Sequence, residues 1–263
     1  MKLKTFTFLK HKTYLFSFIV LMLGSILSAL PAFSQVDYYY GLNKKGIRFG
    51  VGAGVSILKS NWSANSPGGT GLVSLDYDLN PYFSIGLQGQ FGTLSGKDAD
   101  GKFYYYSTAV VFYGGNLNFK VALGQFYDFK TSCSLQDIVK RIYLGAGVGE
   151  VYAESTLKNH TDGQGLSDIT NGLILPNAKP TSTGIKGSGT FTAVPVNFGT
   201  NIAIRGFLGS DRVELNPNLQ YTFVLSPLFD GYQPNSIDNP ASYINKNGDQ
   251  AYFVGSLTLR FKF

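Results

Sequence analysis

Alternation of apolar and polar residues with a period of two constrains the fold of this chain more than any other feature. In the segment 46–57, Ile47, Phe49 and Val51 begin a row of apolar residues on one parity, whereas Arg48, Ser56 and glycines occupy the other. Successive side chains of a β-strand point to opposite faces, so the pattern predicts a strand with one apolar and one polar face. Seven similar segments follow, at 71–79, 83–93, 105–123, from 142 onward, 194–204, 213–223 and 251–263.

The lengths of these segments favour a membrane. Spans of about 9 to 14 residues with a two-residue repeat match tilted transmembrane strands, and an even number lets the sheet close without a free edge. A soluble sandwich or a lipocalin-like barrel has the same period, so the alternation alone leaves these folds open. Aromatic residues near the ends of the apolar faces resemble interfacial girdles. They are Tyr77, Tyr82 and Phe83 at one turn and Tyr104, Tyr105, Tyr106, Tyr113, Tyr221, Phe223 and Phe253 toward the other side.

The connections between the segments alternate in length. The Asn80-Pro81 turn is tight and 205–211 is short, whereas the connections 155–189 and 225–249 are long. Outer-membrane barrels have short periplasmic turns and long outer loops. We therefore predict an all-β fold, an eight-stranded antiparallel transmembrane β-barrel with both termini in the periplasm.

The N-terminus has the three parts of a secretory signal peptide. A stretch with four lysines is followed by the apolar run 15–30 and by the small-x-small sequence 32–34. The 16 residues of that run are fewer than the roughly 20 that span a bilayer. We predict that residues 1–34 are cleaved and that 35–263 form the barrel.

Removal of the signal peptide changes the charge balance. It takes four of the 22 Lys and Arg and none of the 16 Asp and Glu, so the mature chain carries 18 minus 16, or +2. No nucleic-acid partner is expected at this charge. Cys133 is the one cysteine, so no intrachain disulfide is expected.

Glu150 interrupts the pattern of the fifth strand because it falls on the apolar parity. A carboxylate that faces lipid destabilises a barrel by up to a few kcal/mol near mid-bilayer. Either Glu150 lies above the apolar band, or a bulge at Gly149 turns it inward and puts Val151 and Ala153 outside. We expect the bulge.

Two further irregularities affect local structure. Pro195 and Pro217 cannot donate to a strand ladder, so each is expected at a bulge or at the rim of its strand. The connection 124–140 is too long for a periplasmic turn, and Leu135, Ile138 and Val139 have helical spacing behind Ser134. A short amphipathic helix under the barrel is expected there, as a filler or as a docking site for a periplasmic partner.

Strand direction brings seven inward charges to the periplasmic half of the lumen: Arg48, Asp76, Asp78, Lys120, Glu214, Arg260 and Lys262. The interior of an eight-stranded barrel is only wide enough for side chains, and confined charges need partners. We expect a salt-bridged plug. The alternative is a gated narrow pore, in which Glu214→Ala would raise the conductance.

No constellation of residues indicates an enzyme. His160 lies in the long connection near Ser155, Asp162 and Asp168. Nucleophilic catalysis needs such groups in fixed mutual reach, and a segment rich in Gly, Asn and Thr is not expected to hold them there. Oxygen ligands in the last long connection lack calcium-loop spacing and are interpreted as solvated loop residues. They are Asp230, Asp238, Asn239 and Asp249. No catalysis, cofactor or metal is expected.

The last strand carries outward residues at every second position: Phe253, Gly255, Leu257, Leu259, Phe261 and Phe263. They resemble the C-terminal strand of bacterial outer-membrane proteins, whose final aromatic residue is read by the barrel-assembly machinery. The chain as a whole resembles the small OmpA-like and OmpX-like barrels, especially the Bacteroidota outer membrane protein beta-barrel domain family. The 33–35 junction and the 249–253 entry to the last strand are similar to that group. The resemblance implies a Gram-negative outer-membrane location, with outer-membrane lipid and the assembly machinery as partners.

Three functions are compatible with this architecture. The first is a non-enzymatic barrel whose structural or interaction role is carried by the loops 155–189 and 225–249, since loops on a rigid scaffold usually carry function. The second is a narrow channel for ions or small solutes. The third is an accessory component of a secretion or surface-assembly machine.

Overall fold

Eight long strands contain most of the chain that the computed structural model describes. They are β1 Gly46–Lys59, β2 Gly68–Asn80, β3 Phe83–Lys97, β4 Tyr106–Ala122, β5 Tyr143–Asn159, β6 Gly184–Gly199, β7 Val213–Val224 and β8 Gln250–Lys262. The structure describes residues 46–60, 62, 64–80, 82–97, 106–126, 134–159, 172–174, 177, 179–181, 184–204, 213–226, 228–234 and 250–263. The predicted signal peptide and Cys133 lie outside these residues.

Each long strand pairs antiparallel with the next along the chain, and β8 pairs with β1. Every long strand therefore has two neighbours, and the eight form a ring, which confirms the predicted number and antiparallel arrangement of the strands. We call the end of the ring where β1 begins and β8 ends the terminal end, and the opposite end the loop end. Five short strands add to the eight: Ala64–Ser66, Gly172–Ile174, Lys179–Thr181, Ile202–Ala203 and Tyr232–Pro234.

The strands on one side of the ring extend further than the apolar pattern predicted. β5 continues to Asn159 and β6 begins at Gly184, ten residues before Val194. The connection between them is therefore 160–183, which is shorter than the expected loop 155–189. The alternation itself continues here, but its polarity inverts. Val151 and Leu157 face inward and are buried, whereas Tyr152 and Lys158 face outward. A search for apolar outward residues cannot follow a strand past that inversion.

Glu150 faces outward, and the bulge predicted at Gly149 is wrong. The register of β5 against β4 runs without a shift from Tyr143 to Asn159. Val151 and Ala153 are consequently buried inside the ring, at 1% and 0% exposure. Glu150 pairs laterally with Thr192, which also faces outward. The carboxylate thus lies where the outer surface of β5 and β6 turns from apolar to polar.

Neither proline produces a bulge. The ladder between β5 and β6 is interrupted beside Pro195, between the pairs Ala146–Val196 and Gly149–Ala193, and it resumes in the same register. The pairing of β7 with β6 and with the short strand Ile202–Ala203 is interrupted in the same way at Pro217, whereas its pairing with β8 is continuous. A missing N–H group removes a ladder bond, and here the neighbouring bonds hold the register across the gap.

A short helix lies at the terminal end, as predicted. It spans Ser134–Lys140 and follows a 3-10 turn at Leu123–Gln125. The Thr200 hydroxyl donates to the carbonyl of Ile138 at 3.1 Å and ties the helix to the chain beyond β6. Within the described residues, no helix is long and apolar enough to cross a membrane.

The aromatic residues only partly follow the predicted girdles. Tyr77, Tyr113 and Phe223 face outward and are exposed, but Phe83 is buried at 7%. The end of β4 lies against that turn, since the amide of Ala122 donates to the carbonyl of Tyr82 at 2.7 Å. Tyr104 and Tyr105 lie outside the described residues.

Candidate functional site: the filled interior of the ring

The two faces of the ring have opposite chemistry along most of its height. Outside, apolar side chains stand largely exposed, including Val51 at 50%, Leu87 at 59% and Leu144 at 63%. Inside, charged side chains are buried, with Asp76 at 1% and Arg260 at 4% exposure. This is the reverse of a water-soluble protein, which buries its apolar side chains and keeps most of its charged side chains at the surface.

The seven inward charges that the sequence singled out lie at the terminal end, in two groups of ion pairs. Arg48 on β1 contacts Asp78 on β2 and donates to Glu214 on β7 at 3.1 Å. Lys262 lies 3.5 Å from Asp78. The contact between Arg48 and Glu214 passes over β8, so this first group joins strands that are not neighbours in the ring. We call these seven residues and Arg141 the ionic layer.

Asp76 is the centre of the second half of the ionic layer. Its carboxylate accepts from Lys120 Nζ at 2.7 Å and lies 3.3 Å from the guanidinium of Arg260. Lys120 is two strands away on β4, and the strand between them carries Gly86 opposite Asp76. A Cβ at position 86 would overlap Asp76 Oδ1. The glycine is therefore required for the carboxylate to reach across β3.

Arg141 belongs to the ionic layer although the sequence did not indicate it. It follows the helix Ser134–Lys140, and its guanidinium donates to Glu214 at 3.2 Å. Together the layer holds five basic and three acidic residues in ion pairs. Arg141 stands just outside a strand, where no two-residue alternation assigns a face.

A second layer of amide side chains lies above the ionic layer. Gln88 and Gln90 on β3 both donate to Gln220 on β7, at 3.2 and 2.6 Å. Asn118 donates to Gln88 at 3.1 Å and accepts from Asn197 at 3.0 Å. Because β3 and β7 lie across the ring from each other, these bonds span the interior. We call this set the amide layer.

A third, apolar layer fills the loop end of the ring. Its centre is Phe229, which is 0% exposed and stacks on Tyr252 with 5.7 Å between the ring centroids. Phe191 meets Phe229 edge to face at 5.9 Å. The rest of the apolar layer consists of Leu58, Trp62, Leu94, Val110, Phe112, Val151, Ala153, Leu157, Ala193, Val224 and Val254.

Phe229 is held inside by the segment that follows β7. The hydroxyl of Thr108 donates to the carbonyl of Asp230 at 2.6 Å, and the amide of Asp230 donates to Gln250 at 2.8 Å. Gly231 adopts a φ of 93°, which side chains rarely tolerate. The start of the expected loop 225–249 thus folds into the ring. The interpretation of Asp230 as a solvated loop residue is wrong, because the residue is buried at 2% exposure. Asp238, Asn239 and Asp249 lie outside the described residues.

The described residues offer no catalytic arrangement. Ser155 is a strand residue that faces inward at 3% exposure, and a Cβ on Gly231 would overlap its hydroxyl. His160, Asp162 and Asp168 lie outside the described residues. Within the part of the chain that is described, His, Cys, Asp and Glu form no group that would hold a metal ion.

The residues expected to act in assembly share the outer face of β8. Leu257 and Leu259 are exposed at 51% and 37%, Phe263 stands beyond the strand at 82%, and Phe253 and Phe261 are partly exposed. Inward residues of the same strand, such as Arg260, belong to the interior layers. The outer row is continuous with the apolar surface of β1 and β7.

No family model matches the chain, and no curated protein matches it significantly. Among solved structures, the chain is similar to small outer-membrane β-barrels. Neisserial surface protein A is 13% identical, with 82% of this chain and 97% of that chain covered and a TM-score of 0.36. Ail of Yersinia pestis, in complex with a heparin analogue, is 10% identical, with 84% and 99% covered and a TM-score of 0.41. CarO of Acinetobacter baumannii is 15% identical, with 81% and 97% covered and a TM-score of 0.38.

Proposed function

We propose that the chain is an integral outer-membrane β-barrel protein with a filled interior and a structural or loop-mediated interaction role. The observation that carries the proposal is the inverted placement of polarity, with apolar residues exposed outside a ring of strands and charges buried within it. In lipid every backbone polar group must be paired, and only helices and closed barrels meet that demand. In this ring every long strand pairs with a neighbour on each side, so the backbone polar groups of the strands have partners.

The height of the apolar surface supports a bilayer as its surroundings. On β1 the outward apolar row runs from Ile47 to Ile57. At a rise of about 3.4 Å per residue and a tilt of about 45°, these ten steps cover about 24 Å. The apolar band of outer-membrane barrels is about 25 Å tall. We further propose that the terminal end faces the periplasm, because the two longest connections, 160–183 and 225–249, lie at the other end.

The three interior layers favour a barrel that does not conduct over the alternative of a gated pore. Ion pairs, amide bonds and aromatic packing each cross the interior at a different height. Loss of one layer therefore leaves two others in place.

A catalytic role is not part of the proposal, because Ser155 is buried beneath the segment that carries Phe229.

The outward row of β8 is proposed as the feature that the assembly machinery reads, and the similarity to the Bacteroidota family belongs to the same proposal. A direct test is expression with native export, followed by membrane fractionation and gel electrophoresis with and without boiling. We expect the protein in the outer membrane, with a faster-migrating band before boiling. Recovery in the soluble periplasm, or mobility that heat leaves unchanged, would contradict the proposal.

Planar-bilayer recording tests the filled interior. The wild-type protein is expected to show no stable pores, and Glu214→Ala is expected to show none either, because the amide and apolar layers remain. Large, long-lived openings in the wild-type protein would support the channel instead.

A further inference from the structure

A shallow groove crosses the outer surface of β3 and β4, because two outward positions there are glycine. Gly89 and Gly115 pair directly with each other. A Cβ on Gly115 would have no atom within 4 Å, and a Cβ on Gly89 would meet only the carbonyl oxygen of Val73, at 4.0 Å. Both positions are therefore open to the surroundings of the ring. We call this depression the glycine groove, with Gly89 and Gly115 as its floor.

Larger side chains form both walls of the glycine groove. Toward the loop end, Phe91 on β3 pairs with Tyr113 on β4, and both are 55% exposed. Toward the terminal end, the outward residues Leu87 and Leu117 pair with each other. The Cα atoms of Leu87 and Phe91 are about 14 Å apart, and the side chains narrow that opening. An α-helix of about 10 to 12 Å diameter is too wide for it, whereas a single acyl chain fits.

The glycine groove ends at a carboxylate. Glu150 on β5 pairs with Gly115 and is exposed on the outer surface. Among the described residues, its carboxylate has neither a hydrogen-bond nor an ion-pair partner. Glu154, four residues further along the same strand, lies 2.9 Å from Lys186 Nζ and accepts from the Tyr152 hydroxyl at 3.3 Å. One outward carboxylate of β5 thus has its cation within the described chain, and the other has none there.

The glycine groove descends from Glu150 into the apolar band, because the strands are tilted. Successive pairs lead once around the ring from Gly46 to Ser56, which is 56 minus 46, or ten, residues nearer the loop end. The path runs through Asp78, Ser84, Lys120, Gly145, Asn197, Gln220 and Val254. A row of pairs therefore rises in the order β3, β4, β5. At a strand spacing of about 4.8 Å and a tilt of about 45°, Gly89 lies about 7 Å below Glu150.

Glu150 itself lies at the outer boundary of the apolar band. Tyr152, the next outward residue toward the loop end, is two residues further, or about 5 Å higher at a tilt of about 45°. Tyrosine is typical of the boundary between hydrocarbon and headgroups. The next outward residue toward the terminal end is Val148, which is 54% exposed. A ligand of the glycine groove therefore has its polar group at the boundary and its chain in the hydrocarbon.

We infer that the glycine groove binds a membrane lipid whose ammonium group lies next to its hydrocarbon chain. The ammonium group pairs with the Glu150 carboxylate, and the neighbouring rings of Tyr113 and Tyr152 offer faces that attract a cation. The chain runs down over Gly115 and Gly89, between the two walls. The carboxylate selects the class of lipid, because it repels an anionic headgroup. The inference rests on the proposed outer-membrane location, since only a barrel in a bilayer presents the groove to lipid.

The test uses the full chain folded into nanodiscs of phosphatidylcholine. Octadecylamine is titrated in, and native mass spectrometry measures the amount bound. Octadecanol, which has the same chain without the charge, and ethylamine, which has the charge without a long chain, are separate arms. Glu150→Gln removes the carboxylate, and G89L/G115L fills the floor of the groove.

Two matched controls lie outside the glycine groove. Glu154→Gln removes the paired carboxylate of the same strand. Gly69→Leu adds a side chain at an outward glycine of β2, where a Cβ likewise has no atom within 4 Å.

We expect Glu150→Gln and G89L/G115L each to bind octadecylamine at least about tenfold more weakly than the wild-type protein, because each loses either the charge-assisted bond or the space for the chain. Glu154→Gln and Gly69→Leu are expected to bind like the wild-type protein. Wild-type affinity in either groove variant, or an equal loss in either control, would overturn the inference. Equal binding of octadecanol, or full displacement by an equal concentration of ethylamine, would overturn it too.

Heat-modifiable mobility is measured on the same samples. If it is intact while the groove variants bind like the wild-type protein, the lipid site fails and the barrel stands. If it is lost in the wild-type protein, the proposed barrel itself fails.

Discussion

Replacement of Asp76 by asparagine probes the ionic layer at its most buried point. The Asp76 carboxylate lies 2.7 Å from Lys120 Nζ and 3.3 Å from the Arg260 guanidinium, and all three side chains are at most 6% exposed. At an effective dielectric constant of about 20, each contact is worth about 5 to 6 kcal/mol of attraction. Asparagine avoids the desolvation cost of the carboxylate, which offsets part of that loss. The net decrease in the free energy of unfolding is expected to be about 3 to 5 kcal/mol.

The decrease arises because Lys120 and Arg260 stay buried without a carboxylate to neutralise them. Urea titration of protein folded in phospholipid vesicles measures it, with the folded fraction read from gel mobility before boiling. Asp78→Asn is the matched control. Its partner Arg48 keeps Glu214, and its other partner, Lys262, is 27% exposed and reaches water. We expect a smaller loss, below about 2 kcal/mol.

A compensating change separates the charge effect from damage to packing. In Asp76→Asn with Lys120→Met, one buried cation disappears together with the carboxylate. We expect at least half of the lost stability to return, because replacement of a whole buried pair is often close to neutral. If Asp76→Asn unfolds at the same urea concentration as the wild-type protein, or if Lys120→Met lowers its stability further, the ionic layer does not hold the interior as argued.

Three further changes test other parts of the structure by the same titration. Gly86→Ala is expected to lower the free energy of unfolding by at least about 2 kcal/mol, since its Cβ would overlap Asp76 Oδ1. Gly115→Ala is the control. Gly115 faces outward and a Cβ there would have no atom within 4 Å, so stability should change by less than about 0.5 kcal/mol. Comparable losses for the two glycines would refute the close approach at Gly86. Phe229→Ala should cost about 3 to 5 kcal/mol by emptying the centre of the apolar layer, and a loss under about 1 kcal/mol would show that Phe229 does not fill the ring. Glu150→Gln should leave stability within about 1 kcal/mol of wild type or raise it, because a carboxylate near the membrane boundary costs little; a clear loss would point to a bound partner.

The alternation of the sequence was sufficient to predict the number of long strands and the face of most strand residues. The reason is geometric, because a period of two assigns each strand residue to one of two faces whatever its neighbours are. Arg48, Asp76 and Lys120 could thus be assigned to the interior before any pairing was known. The helical spacing of 135–139 indicated the helix at the terminal end by an equally local rule.

Only the tertiary structure decided where the strands end and what meets inside. The outward polarity of Glu150 and the extension of β5 to Asn159 depend on where the surroundings change from apolar to polar, which no local period contains. Arg141 and Phe229 enter the interior from connections, where no alternation assigns a face. Their positions follow from contacts with strands distant in sequence, those of Glu214 on β7 and Tyr252 on β8. Local chemistry determined which way each strand residue points, and long-range register determined which residues it meets there.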